Sequence, residues 1–119
     1  MQIQINTDHN IEGHQDLIAE FSGKVENALS RFSTHITLVE VHLSDESSRR
    51  KTPLDKRCMM EARLEGRQPI AVTHEAETLN QAIDGASDKL AKLIESTLER
   101  QRDQKRHRTD PPPLGPINN

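Results

Sequence analysis

The strongest period in the chain lies between Thr78 and about Arg102. Leu79, Ala82, Ile83, Ala86, Leu90, Leu93, Ile94 and Leu98 recur at three- and four-residue steps, which stacks them on one side of a helix. The other side carries Asp84, Asp88, Lys89, Lys92, Glu95 and Glu99. Thr78 is placed to cap the helix, its hydroxyl taking a free amide of the first turn. Gly85 is the weak position, roughly 1 kcal/mol worse than Ala, and marks a close approach to another backbone. A second amphipathic helix is predicted from about His14 to Phe32. Its stripe is Leu17, Ile18, Phe21, Val25, Ala28, Leu29 and Phe32, with Lys24, Glu26, Asn27 and Arg31 lying off it.

Between and before the helices the period changes from about 3.6 to 2. Met1–Asn6 sets Ile3 and Ile5 against Gln2, Gln4 and Asn6. Ile36–Ser44 sets Val39, Val41 and Leu43 against Leu38, Glu40 and His42. Asp55–Glu65 puts Cys58, Met60, Ala62 and Leu64 on one face, with Arg57, Met59, Glu61 and Arg63 on the other. Pro69–Ala76 sets Ile70, Val72 and His74 against Ala71, Thr73 and Glu75. Gly66-Arg67-Gln68 is a turn, so the last two strands form an antiparallel hairpin. Asp45–Leu54 has no period and reads as a mobile loop.

The predicted order is β-α-β-β-β-α. The fold class is α+β, a two-layer sandwich with a four-stranded mixed sheet and two helices on one face. The first two strands flank a helical crossover and are parallel if adjacent. The uncovered sheet face should carry Gln4, Glu40, His42, Arg57, Glu61, Arg63, Thr73 and Glu75. After Arg102 the apolar period stops, Lys105–Arg108 is basic, and Pro111–Pro113 cannot continue a helix. The chain therefore divides into a folded domain, 1–102, and a disordered basic and proline-rich tail, 103–119.

Composition narrows the function. Hydrophobic residues make up 32% and charged residues 29%, with two Phe and no Trp or Tyr, so the core is aliphatic. No apolar run reaches the ~20 residues of a membrane span, the N-terminus does not read as a signal peptide, and a single Cys allows no internal disulfide. The cytoplasm is the expected location. The net charge of −3 hides an asymmetry. Residues 1–98 hold eleven Lys+Arg against sixteen Asp+Glu, and residues 99–119 hold five against three. A protein that coats bulk nucleic acid is basic overall, so any nucleic-acid contact here uses local patches.

No catalytic set emerges. Asp8, His9, Glu12 and His14 lie close together, but their spacing matches no structural zinc pattern, and a solvated polar loop accounts for them. Cys58 belongs to an apolar strand face and reads as a buried thiol. His42 and His74 lie within strands and read as packed or surface side chains. No cofactor, metal or small-molecule substrate is indicated, and the chain is not expected to be an enzyme. The basic residues fall into groups: Lys24 and Arg31 on the first helix; Arg49, Arg50, Lys51, Lys56 and Arg57 around the loop; Lys89 and Lys92 on the last helix; Arg100 and Arg102 beyond them. Glu20, Glu26, Glu95 and Glu99 are near enough to neutralise several, so charge alone describes an ordinary solvated surface. The chain has no aromatic platform for stacking unpaired bases. Recognition of folded RNA by shape and backbone needs none.

QPIAVTHEAETLNQAIDGASDKL resembles the strand-to-helix signature of the ribosome hibernation-promoting factor family, which includes the ribosome-associated inhibitor and the sigma-factor modulation proteins. The matching positions are Ala76-Glu77, Ala82-Ile83-Asp84 and Asp88-Lys89-Leu90. MQIQI, GKVENALSRF and HITLVEVHLSDE also fit the family layout, so the resemblance covers about residues 1–98. It implies a short-form factor that binds the small ribosomal subunit and its rRNA and inhibits translation in resting or stressed cells. By the same resemblance Lys24 and Lys89 match family basic residues, and Lys92 falls beside another. The expected rRNA-binding set is Lys24, Arg31, Arg49, Arg50, Lys51, Lys56, Arg57, Lys89, Lys92 and Arg100. The sequence departs from the pattern where relatives commonly place a basic run, here Glu95-Ser96-Thr97-Leu98, and where a second lysine is usual, here Asn27. The alternative is a protein-interaction module on the same fold that uses the uncovered sheet face. Oligomeric state is left open.

Overall fold

The computed structural model describes residues 1–8, 11, 14–47 and 52–109, the side chains of 14, 101 and 103–109 excepted. Four strands and two helices follow the predicted order: β1 Gln2–Thr7, α1 His14–Leu29, β2 Ile36–Asp45, β3 Lys56–Leu64, β4 Ile70–Ala76 and α2 Leu79–Thr109. The sheet order is β1-β2-β3-β4. β1 is parallel to β2, because α1 carries the chain back between them. The other two pairings are antiparallel.

The register sorts the side chains into rows. Ile5, Val41, Met60 and Val72 stand opposite one another across the sheet, and both helices pack on this side. Gln4, Glu40, Glu61 and Ala71 form the neighbouring row and point the other way. Phe21, Val25 and Leu29 from α1 and Ile83, Ala86, Leu90 and Ile94 from α2 are fully buried against Val39, Val41, Cys58 and Met60. Each large side chain among them contributes roughly 1.5–3 kcal/mol on burial. The expected polar face is open, as the sequence alternation required.

Local chemistry fixes the ends of the elements. Thr78 caps α2, its Oγ1 accepting the Gln81 N–H at 3.1 Å. α1 tightens into a single 3-10 turn at Ser30–Phe32, which closes with the Ser33 N–H on the Ser30 carbonyl. Gly66 has a φ of 72°, the left-handed conformation glycine adopts without penalty. It lets the hairpin close with the Arg67 N–H on the Leu64 carbonyl at 3.1 Å.

Two expectations are corrected. α2 continues past Arg102 to Thr109. The apolar stripe stops, but Arg, Gln and Lys are themselves good helix formers. The backbone of 103–109 is therefore helical, and the rest of the expected tail, 110–119, lies outside the described residues. The close approach at Gly85 is made by a side chain rather than a backbone: a Cβ there would overlap the ring of His74. His74 shares the helix-side face of β4 with Val72, and its ring occupies the space a larger residue would need.

Candidate nucleic-acid interface

α1 and α2 run side by side in the same direction over the sheet, so residues off their apolar stripes share one outer layer. Along the seam two ion pairs join the helices. The Lys24 ammonium donates to both oxygens of Asp84 at 3.1 and 3.2 Å. The Arg31 guanidinium lies 3.9 Å from Glu95. Lys92 reaches Asp88 one turn back on α2 at 3.3 Å, with both side chains more than two-thirds exposed. The structure thus brings Lys24, Arg31 and Lys92 onto one surface, each beside a carboxylate of its own chain.

The remaining expected residues do not join them there. Lys89 leans off the flank of α2 and donates to the Thr73 carbonyl at 3.0 Å, covering the outward edge of β4. Arg100 is exposed three turns further along the same flank. Lys56 is held at the start of β3 by Asp55 at 2.7 Å and Asp45 at 3.4 Å. Its hydrogen bond to Asp55 raises the ammonium above its usual range, helped by the charge of Asp45. Asp45 is lowered, chiefly by the Ser47 N–H at 3.0 Å and further by Lys56. Arg57 follows on the other side of the strand, in the row of Ser44 and Glu75, and projects from the open sheet face. Arg49, Arg50 and Lys51 lie outside the described residues.

The other polar candidates have structural partners. Asp8 accepts the Asp45 N–H at 3.4 Å, tying the ends of β1 and β2. His9 and Glu12 lie outside the described residues, as does the side chain of His14. Among the described residues no three His, Cys, Asp or Glu side chains converge as metal ligands would. Burial pushes the Cys58 thiol up to about 12, which keeps it protonated and unreactive. On the open face Glu40 lies 3.7 Å from Arg63 and 3.9 Å from His42.

Sequence reasoning missed one convergence. Arg67 of the hairpin turn and Arg102 of α2 meet Arg31 around a cleft at the far end of the helix layer. The available signal was an arginine at position 102, one turn beyond Leu98 on the line of the apolar stripe.

A family model described as sigma 54 modulation protein / S30EA ribosomal protein matches residues 3–102. The chain belongs to this family. The S30EA match takes in β1 from Ile3, the other three strands, α1, and α2 as far as Arg102. The crystal structure of the Thermus thermophilus Protein Y N-terminal domain is similar at 25% identity and a TM-score of 0.65, over 82% of this chain and 99% of that one. A ribosomal subunit interface protein from Coxiella burnetii is similar at 18% identity and a TM-score of 0.62, over 83% of this chain and 99% of that one, a likeness of fold alone. No curated protein matches the chain. Among the described residues no helix is long and apolar enough to cross a membrane.

Proposed function

We propose that this S30EA family member is a non-catalytic, cytoplasmic factor that binds the small ribosomal subunit through rRNA phosphates and holds back translation in resting cells. Family membership supports the ribosomal partner. The observation that carries the contact face is the seam between α1 and α2, where Lys24, Arg31 and Lys92 share one exposed layer. Exposed ion pairs of this kind contribute only about 0–1 kcal/mol, so an incoming phosphate can take a carboxylate's place. Arg31 suits the exchange best, because a guanidinium grips two phosphate oxygens at once. Lys89 and Arg100 extend the contact along the flank of α2, and Arg49, Arg50, Lys51 and Lys56 support it from the loop end; Arg57, on the open sheet face, takes no part in it.

The carboxylates left behind set the character of the binding. Asp84, Asp88 and Glu95 remain beside the displaced cations and repel the same phosphates. Attraction is therefore strongest at low ionic strength and falls steeply with salt, with a log–log slope of about −0.7 to −0.9 per phosphate neutralised. Co-sedimentation with small subunits through sucrose tests this. The protein is expected in the small-subunit fraction at low salt and free at moderate salt. Absence from that fraction at every salt concentration contradicts the reading.

The rival reading is a protein-interaction module. It rests on the open sheet face, where Leu38 and Met59 are half-buried among Glu40, Glu61 and Arg63. It requires a protein partner whose capture survives nuclease and is indifferent to Lys24 and Lys92.

A further inference from the structure

The cleft of about 620 Å³ at the far end of the helix layer has a floor and a mouth of different chemistry. Phe32 and Leu64, both nearly buried, and the half-buried Leu98 make the floor. Arg31, Arg67 and Arg102 stand at the mouth, with Glu65 as the one acid among the described lining residues. Three stretches of backbone position them: the 3-10 turn Ser30–Phe32, the Gly66 hairpin turn, and α2 at Leu98–Arg102. The Glu65 N–H donates to the His35 carbonyl at 3.0 Å, which ties two of these walls together.

Arg31 is the unusual member. Its guanidinium lies over the Phe32 ring, 4.6 Å from the centroid. The ring attracts the guanidinium by its negative face, and the Arg31 side chain stays 60% exposed. A flat cation held this way is a stacking surface, and RNA-binding proteins stack unpaired bases on guanidinium planes as well as on aromatic rings. The volume falls in the range that encloses a small molecule or a single nucleotide. A duplex carries its phosphates on a convex rod, which suits the projecting cations of the helix layer. A concave cleft with an apolar floor and an arginine mouth suits a nucleotide splayed out of its helix.

We propose that this cleft binds an unpaired RNA nucleotide, its phosphate held by Arg67 and Arg102 and its base stacked on Arg31. The proposal deepens the ribosomal reading and rests on it only in naming RNA as the ligand. Among the described residues Glu95 and Glu65 are the acids that oppose it, and they limit the affinity at moderate salt.

The test uses the full chain and fluorescence anisotropy at low salt, with a labelled oligouridylate and a hairpin duplex of equal phosphate number. The single strand is expected to bind about tenfold more tightly than the duplex. R67Q/R102Q, at a half-buried and an exposed position, is expected to weaken single-strand binding about tenfold, with circular dichroism checking that the variant folds. Arg31→Lys keeps the charge and loses the plane, and is expected to weaken it severalfold. Equal binding of strand and duplex, unchanged binding by R67Q/R102Q, or equal displacement by an oligoglutamate peptide overturns the proposal. Co-sedimentation separates the two readings. Wild type and R67Q/R102Q pelleting equally with small subunits, together with undiminished oligouridylate binding, removes the cleft and leaves the ribosome. Oligouridylate binding that needs Arg67 and Arg102, without any pelleting of wild type, removes the ribosome and leaves the cleft.

Discussion

The two outward faces of the molecule carry a similar mixture of charges, arranged differently. On the helix layer, Lys24–Asp84 and Arg31–Glu95 each join one helix to the other. On the open sheet face, Glu40 gathers Arg63 from the neighbouring strand and His42 from its own. On the helix layer Lys24 reaches both oxygens of Asp84 and Arg31 lies over the Phe32 ring, while Lys92 stands beside them with its side chain 75% exposed. On the sheet the half-buried Glu40 is shared between Arg63 and His42. Carboxylates stand beside cations on both faces, so net charge does not separate the two. The helix layer differs in setting its cations on two convex, parallel cylinders.

The largest expected effect comes from reversing charge on one face only. K24E/K92E should weaken small-subunit binding by about thirtyfold or more at low salt, since two phosphate contacts are lost and two repulsions gained. R57E/R63E on the sheet should leave it within about twofold. Matched losses from the two double variants would erase the distinction between the faces.

The covered side of the sheet should differ from the open side in its tolerance of added atoms. Gly85→Ala gains helix propensity, yet its methyl group meets the His74 ring. The clash should outweigh the gain, for a net loss of about 1 kcal/mol in thermal or denaturant unfolding. Removing the ring reverses the sign: H74A/G85A should be about 1 kcal/mol more stable than H74A alone. Glu61→Ala, on the open row, should stay within about 0.5 kcal/mol of wild type.

Much of this was legible in the sequence. Period-two alternation gave the strand faces, because a strand that buries one side must place its apolar residues at every second position. Thr78 announced the start of α2 because a free amide needs an oxygen. Three things were not legible. The sequence could not say that Lys56, one of the basic cluster around the loop, is held at the start of β3 by both Asp55 and Asp45. It could not say that the neighbour of Gly85 is the His74 ring, because the packing of β4 against α2 is a tertiary fact. And it could not join Arg31, Arg67 and Arg102, which come from three separate elements.

Smaller effects sharpen the comparison further. Asp84→Asn releases Lys24 from its partner, and Glu95→Gln does the same for Arg31. The double variant should raise small-subunit affinity severalfold and cost less than about 1 kcal/mol of stability, because both pairs are exposed. Smallest is the acid response of the β2–β3 end. The Asp45 carboxyl lies below its ordinary value of 3.8, so its ties to Ser47 and Lys56 stabilise the fold above that value and are lost as pH falls through the lowered one. A difference in melting midpoint between wild type and Asp45→Asn near about pH 6 should shrink towards zero by about pH 2.

The central claim is that the outer layer of α1 and α2 is the surface that meets the small subunit. Its most direct measurement is sucrose co-sedimentation of wild type, K24E/K92E and R57E/R63E with purified small subunits at low salt. The account predicts that wild type and R57E/R63E pellet and K24E/K92E stays at the top of the gradient. It is contradicted if K24E/K92E pellets as well as wild type, or if no form of the protein pellets at all.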